Sequence, residues 1–167
     1  MRKNSRFRFK PGKVLEFQHS DCRCGYLIAH FKRAKYGNFF SLVKKTFASP
    51  LGEEALPLLL KESQQTTWLN TSNIVGVRDT FTVSQVGELS DFDAPVSTMW
   101  YGHPSFGVTI EYPNGGTEIA PSLPTDEEME KKMEGKGIVQ KIWWLPSSIA
   151  EYFFEGKPLR WSAHKKY

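Results

Sequence analysis

Three runs rich in branched and aromatic residues stand close together near the start of the chain: KVLEFQ (13–18), GYLIAHFK (25–32) and YGNFFSLVKKTF (36–47). Such runs, set off by polar or glycine-bearing stretches, are the pattern of strands. HSDCRC (19–24) lies between the first two, polar and with Gly25 at its exit, as the connection of a hairpin should be. Gly37-Asn38 admits the chain to the third run. These segments pair most simply as an antiparallel meander, and that requirement constrains everything that follows. Ahead of them RFRFK (6–10) alternates strictly, so an extended chain sends Phe7 and Phe9 to one face and Arg6, Arg8 and Lys10 to the other.

Further along, SPLGEEALPLLLKES (49–63) spaces Leu51, Ala55, Leu58 and Leu59 for a helix, but Pro57 removes a donor and crowds the preceding turn. A broken helix or irregular cover is expected there, and a polar loop over QQTTWLNTSN (64–73). IVGVRDTFTVSQVGEL (74–89) changes face near Asp79-Thr80, as one bent strand or two short ones. FGVTIEY (106–112) is a strand, Asn114-Gly115-Gly116 a hairpin turn and TEIA (117–120) its short partner. TDEEMEKKMEGKG (125–137) has Thr125 and Glu128 spaced as a capping box and Gly135 as a stop, which predicts a solvated surface helix. IVQKIWWL (138–145) returns to strand. SSIAEYFFEGKP (147–158) closes with a helix whose box is Ser148 and Glu151.

The expected architecture is therefore α+β: one domain over residues 1–167, with short basic tails at about 1–10 and 162–167. Its mainly antiparallel sheet is strongly bent or barrel-like, with two or three peripheral helices. The expected core is Phe7, Val14, Leu15, Phe17, Tyr26, Ile28, Phe39, Leu42, Val43, Val75, Val77, Val108, Ile110, Ile142 and Trp144.

The formal charge of +4 hides a division. Six cations, Arg2, Lys3, Arg6, Arg8, Lys10 and Lys13, precede the first acid, and Lys165 and Lys166 lie at the far end. Setting those eight of 22 cations aside leaves 14 against all 18 acids, so the segment between is acidic. No apolar run reaches the roughly 18 residues of a membrane span, and the cationic start has no apolar centre of the signal-peptide kind. The expectation is a cytoplasmic protein with no membrane partner.

HSDCRCG (19–25) is the stretch most suggestive of chemistry. His19, Cys22, Cys24 and His30 match no common zinc spacing, and cysteines two apart are poorly placed for a disulfide. A plain reduced turn is expected, without metal or other cofactor. Nucleophile elbow, zincin, phosphate-loop and dinucleotide motifs are missing from the sequence. Of the four histidines, His103 beside Trp100 and Tyr101 is the best placed for a general base, but the expectation is no catalytic residue and no enzyme.

Two stretches suggest binding. ELSDFDAPVSTMWYGH (88–103) combines Glu88, Asp91 and Asp93 with Phe92, Trp100, Tyr101 and His103. Aromatics within a polar rim suit a protein interface, and the carboxylates suit a basic partner; alternatively the aromatics fold back onto the core. In the tail, Arg6, Phe7, Arg8 and Phe9 interleave cations with rings, as single-stranded nucleic-acid binding requires; alternatively they form an amphipathic edge strand with solvated arginines.

The meander PGKVLEF, CGYLIAHF, YGNFF resembles the start of the immunity protein 26 family, bacterial antidotes of polymorphic toxin and contact-dependent competition systems. GIVQKIWWLP and EGKPLRW are similar to the tryptophan-bearing, Gly/Pro-followed end of that family. The resemblance covers about residues 9–48 and 137–161. Lys13 stands where an acid commonly follows the opening glycine, and Leu27 and Ile28 replace a second glycine of the Gly-Tyr strand. The resemblance implies a β-rich fold, no catalysis, and stoichiometric binding of one cognate toxin, for which a basic nuclease is the candidate. A small nucleic-acid-binding module using the N-terminal segment is the competing expectation.

Overall fold

The hairpin demanded by the sequence is the centre of the structure, a computed structural model that describes residues 7–33, 37–69, 74–90, 92, 99–103, 107–111, 116–120, 139–157 and 159. Its residues fall into two units, Met1–Ala94 with Trp143–Pro158 and Pro95–Ile142 with Leu159–Tyr167.

In the first unit, β1 (Lys13–His19) pairs antiparallel with β2 (Cys24–Arg33), setting Glu16 opposite Tyr26 and Phe17 opposite Gly25. β3 (Gly37–Val43) lies along the other side of β2, and β4 (Ser63–Leu69) along β3. On the other side of β1 comes β6 (Phe81–Glu88), edged by the two-residue β5 (Gly76–Val77). The sheet order is thus β5-β6-β1-β2-β3-β4. Register slips at Val14/Leu15, Ala29/Phe31 and Leu42/Val43 mark bulges, which bend and twist a ladder locally.

The sheet is open rather than closed into a barrel: among the described residues no ladder joins β5 to β4. Three local expectations are also corrected. Residues 63–69 form a strand, not a loop, because their backbone completes the ladder on β3 despite polar side chains. The third strand stops at Val43, and only Phe47 returns, to bridge Cys24. The described part of RFRFK, residues 7–10, belongs to no ladder.

Alternation divides the core into two layers. One face of the sheet presents Val14, Glu16, Cys24, Tyr26, Ile28 and Val43, and is covered by a 3-10 helix (Glu53–Leu58) that runs into α1 (Leu59–Glu62) and buries Leu56 and Leu59. The other face carries Leu15, Phe17, Leu27, Ala29, Phe40, Leu42, Phe81 and Val83, all buried. There α2 (Pro146–Glu155) contributes Phe153, whose ring centroid lies 5.7 Å from that of Phe17; Phe17 in turn stacks on Phe81 at 5.9 Å. Phe7 and Phe9 pack on Phe40 at 6.0 and 5.4 Å.

The helix α2 starts earlier than expected. Its N-cap is Leu145, with no side-chain cap, and Pro146 opens the first turn. Proline's fixed φ is already helical and its missing N–H is not needed there, so the Ser148/Glu151 box is not used.

Of the expected core, Val14, Leu15, Phe17, Tyr26, Ile28, Phe39, Leu42, Val43 and Trp144 are buried. Phe7 and Val75 are half-buried. Val77 is a correction: it is 81 % exposed on the edge strand β5, where no further layer covers it among the described residues. The side chains of Val108, Ile110 and Ile142 lie outside the described residues.

In the second unit β7 (Met99–His103), β8 (Gly107–Glu111) and β9 (Thr117–Ala120) form an antiparallel meander. The hairpin expected at Asn114-Gly115 is present in its pairing, Glu111 opposite Thr117, although 112–115 lie outside the described residues. The start of β10 (Val139–Trp144) runs parallel to β7, with Val139 opposite Met99. The segment 125–137, expected to be helical, lies outside the described residues. The α+β class therefore stands, mainly antiparallel, with two helical segments described.

Candidate functional site

The turn 19–23 is held by its own polar groups. The His19 N–H donates to the Arg23 carbonyl (2.8 Å) and the Cys22 N–H to the His19 carbonyl (3.0 Å). Asp21 folds back onto the turn: its Oδ1 accepts the Arg23 N–H at 3.1 Å and its Oδ2 the Arg23 Nε–H at 2.8 Å. This is the local competition by which Asp favours turns. His19 Nδ1 lies 2.9 Å from Asp21 Oδ1. Partial loss of water raises the Asp21 pKa, but the Arg23 N–H, His19 and the Arg23 guanidinium outweigh it and hold the carboxyl at about 2.

The turn is also fastened to α2. Arg23 Nη1 donates to the Phe154 carbonyl (3.1 Å) and its guanidinium covers the Phe154 ring at 5.6 Å, while the His19 ring lies 4.9 Å from that ring. His19 and Arg23 are thereby committed to holding a helix.

The two cysteines have different surroundings. Cys22 is exposed at the tip, with φ of 73° in the left-handed region. Cys24 is fully buried, bridged to Phe47 through both backbone hydrogen bonds, and its Sγ–H donates to the Cys22 carbonyl at 3.4 Å. Burial, together with the nearby Glu16 carboxylate, pushes the Cys24 thiol up to about 12, so it is neither a thiolate nucleophile nor a ready metal ligand near neutral pH. Among the described residues no group of three or more His, Cys, Asp or Glu is arranged to hold a metal ion.

Glu16 is the buried charged residue that sequence reasoning missed. It is 6 % exposed, and its Oε2 accepts the Tyr26 O–H at 2.6 Å. The same Tyr26 oxygen accepts the Leu51 N–H at 2.8 Å, so Glu16 and Tyr26 tie the cover segment to the sheet. Burial and the Glu16 hydrogen bond raise the Tyr26 pKa far above its usual value. The signal was available: KVLEFQ carries one acid inside an apolar strand, and the short hairpin places Tyr26 across from it. Nearby, His30 is hydrogen-bonded to the buried Ser41.

The segment 88–103 is divided between the units. Glu88 is exposed and paired with Lys10. Phe92 is half-buried, packed against the layer of Tyr26 and Leu59 and edge-on to His30 at 5.8 Å. Trp100, Tyr101 and His103 belong to strand β7 and pair with Ile110, Thr109 and Gly107 of β8. Asp91 and Asp93 lie outside the described residues.

In the tail, Phe7 and Phe9 are half-buried on Phe40, Arg8 is exposed, and Arg6 lies outside the described residues. Lys13 Nζ donates to the Arg8 carbonyl (2.9 Å) and sits 5.8 Å from the Phe7 ring. Gly12 completes the attachment, its N–H donating to the Ala29 carbonyl and its own carbonyl accepting the Leu89 N–H.

No family model, no curated protein and no solved structure matches the chain. Among the described residues no helix is long and apolar enough to cross a membrane.

Proposed function

We propose that this protein acts by stoichiometric binding, as an antidote that neutralises a cognate bacterial toxin, and that it has no reaction of its own. The observation that carries the reading is the commitment to the fold of most of the chemically suggestive groups among the described residues. Cys24 is a buried thiol, Glu16 and Tyr26 fix the cover segment, His19 and Arg23 fix α2, and His30 is engaged with Ser41. The tail aromatics that a nucleic-acid module needs for stacking on bases are packed on Phe40 instead. The acidic segment between the tails and the resemblance of the opening meander to toxin antidotes support the same reading.

A basic toxin, such as a nuclease, is the partner this charge distribution favours, because opposite potentials speed encounter and mask a phosphate-binding surface. The test is co-expression of the tagged chain with the product of the gene immediately upstream, followed by capture and calorimetry. A tight one-to-one complex that abolishes toxicity is expected. No complex, with nucleic acid retained and released on deleting residues 1–10, would replace the antidote reading by the nucleic-acid one.

A further inference from the structure

The chain leaves the sheet after Val43 and rejoins it at Ser63, its partner in the last pair of the β3–β4 ladder. Just beyond that pair the Lys44 N–H donates to the Glu62 carbonyl at 3.1 Å, so the excursion between them starts and ends at one point. It is a loop of the Ω kind, closed at its own neck. Within it the Ala55 N–H donates to the Gly52 carbonyl and the 3-10 helix runs directly into α1, so its second half is one body.

The loop's hold on the sheet is narrow. Of residues 44–62 only Leu56 and Leu59 are buried; Phe47, Leu51 and Ala55 are half-buried and the rest are exposed. Phe47 exchanges two backbone hydrogen bonds with Cys24 and sets its ring edge-on to Tyr26 at 5.5 Å. The Leu51 N–H reaches the Tyr26 hydroxyl that Glu16 holds. Among the described residues no ladder of the six strands runs through the loop. The opposite layer, with Leu15 and Phe17, is closed by Phe153 of α2 without it. Lifting the loop therefore gives up one core layer and leaves the sheet with the other.

We infer that residues 44–62 are a strap that opens as a unit about the Lys44–Glu62 neck, is latched by the Glu16–Tyr26 pair, and uncovers Cys24 when it lifts. Segments with few buried side chains open at a free energy below that of global unfolding. The opened strap bares an apolar floor of Val14, Ile28 and Val43 that carries the Glu16 carboxylate. The device stands apart from the antidote reading, since no partner enters it.

Cys22→Ser leaves Cys24 as the one thiol of the full chain. N-ethylmaleimide near neutral pH, followed by mass spectrometry, then reads the opening, because a thiol that is buried and pushed up to about 12 does not react in the closed form. The labelling rate is expected to be nearly flat in low urea and to climb only near the unfolding transition. In the same background Y26F should speed it about tenfold or more, while F17L, in the opposite layer, leaves it unchanged. Hydrogen exchange of the Leu51 N–H should quicken in step with labelling, with the β1–β2 amides still protected. A rate that climbs steeply from the lowest urea, with F17L as effective as Y26F, would mean that only global unfolding reaches Cys24, and would overturn the strap. Labelling indifferent to Y26F, with the Leu51 N–H still protected, would assign the exposure to fraying of the 19–23 turn and overturn it equally.

Discussion

The two faces of the first sheet are closed by different means. One is sealed by rings: Phe17 lies between Phe81 and Phe153, and α2 approaches so closely that a Cβ at Gly25 would come within 2.3–2.5 Å of carbons of the Phe153 ring. The other is sealed by a short cover held through a buried hydroxyl–carboxylate pair and two leucines. The contrast shows what each kind of closure allows. A helix packed ring to ring hides its apolar residues, whereas a proline-broken cover tied by hydrogen bonds leaves Leu58 and Leu60 outside.

The largest expected effect is on the aromatic face. Phe17→Ala removes the ring shared by Phe81 and Phe153 and should cost about 3–5 kcal/mol, measured by urea unfolding. An equal loss from Leu59→Ala would erase the distinction between the faces. Gly25→Ala should cost about 1–3 kcal/mol, because a rigid ring must move as a whole.

On the other face Tyr26→Phe leaves the buried Glu16 carboxylate and the Leu51 N–H without the hydroxyl. A loss of about 1–3 kcal/mol follows, and a double-mutant cycle with Glu16→Gln should show strong coupling. Additive losses would mean that the pair does not hold the cover. Gly87→Ala is the counterpart of Gly25→Ala. Its Cβ meets the methyl end of Leu56, which can turn aside, so the cost should stay under about 1 kcal/mol.

The smallest effect concerns the turn that fastens the aromatic face. The folded pKa of Asp21, about 2, lies below the ordinary 3.8, so its contribution is complete above the ordinary value and fades as pH falls through about 2. Asp21→Asn should remove that part of the acid dependence. Identical unfolding profiles between pH 4 and 2 for both chains would dismiss the turn as a fastening.

Much of the sheet was legible because alternation is local. The β1–β2 hairpin, the break at Asp79-Thr80 and the β8–β9 pairing follow from strand patterning and turn residues. Strand β4 was not, since Gln, Thr and Ser owe their extended form to the ladder with β3 rather than to their own preference. The candidate site was legible in part. Glu88 and Phe92 are placed, but Phe92 packs inward, and no local pattern separates an aromatic that folds back from one that waits for a partner.

By itself the sequence determined the antiparallel order of the central strands, the break in the helix at Pro57 and the division of charge between tails and body. Each depends on one residue's geometry or on neighbours a few positions away. Only the tertiary structure decided that Glu16 is buried against Tyr26, that Arg23 holds α2, that the tail aromatics lie on Phe40 and that Leu58 faces water. Those outcomes depend on groups brought together across the sheet, where packing and hydrogen-bond satisfaction between distant segments override local preference.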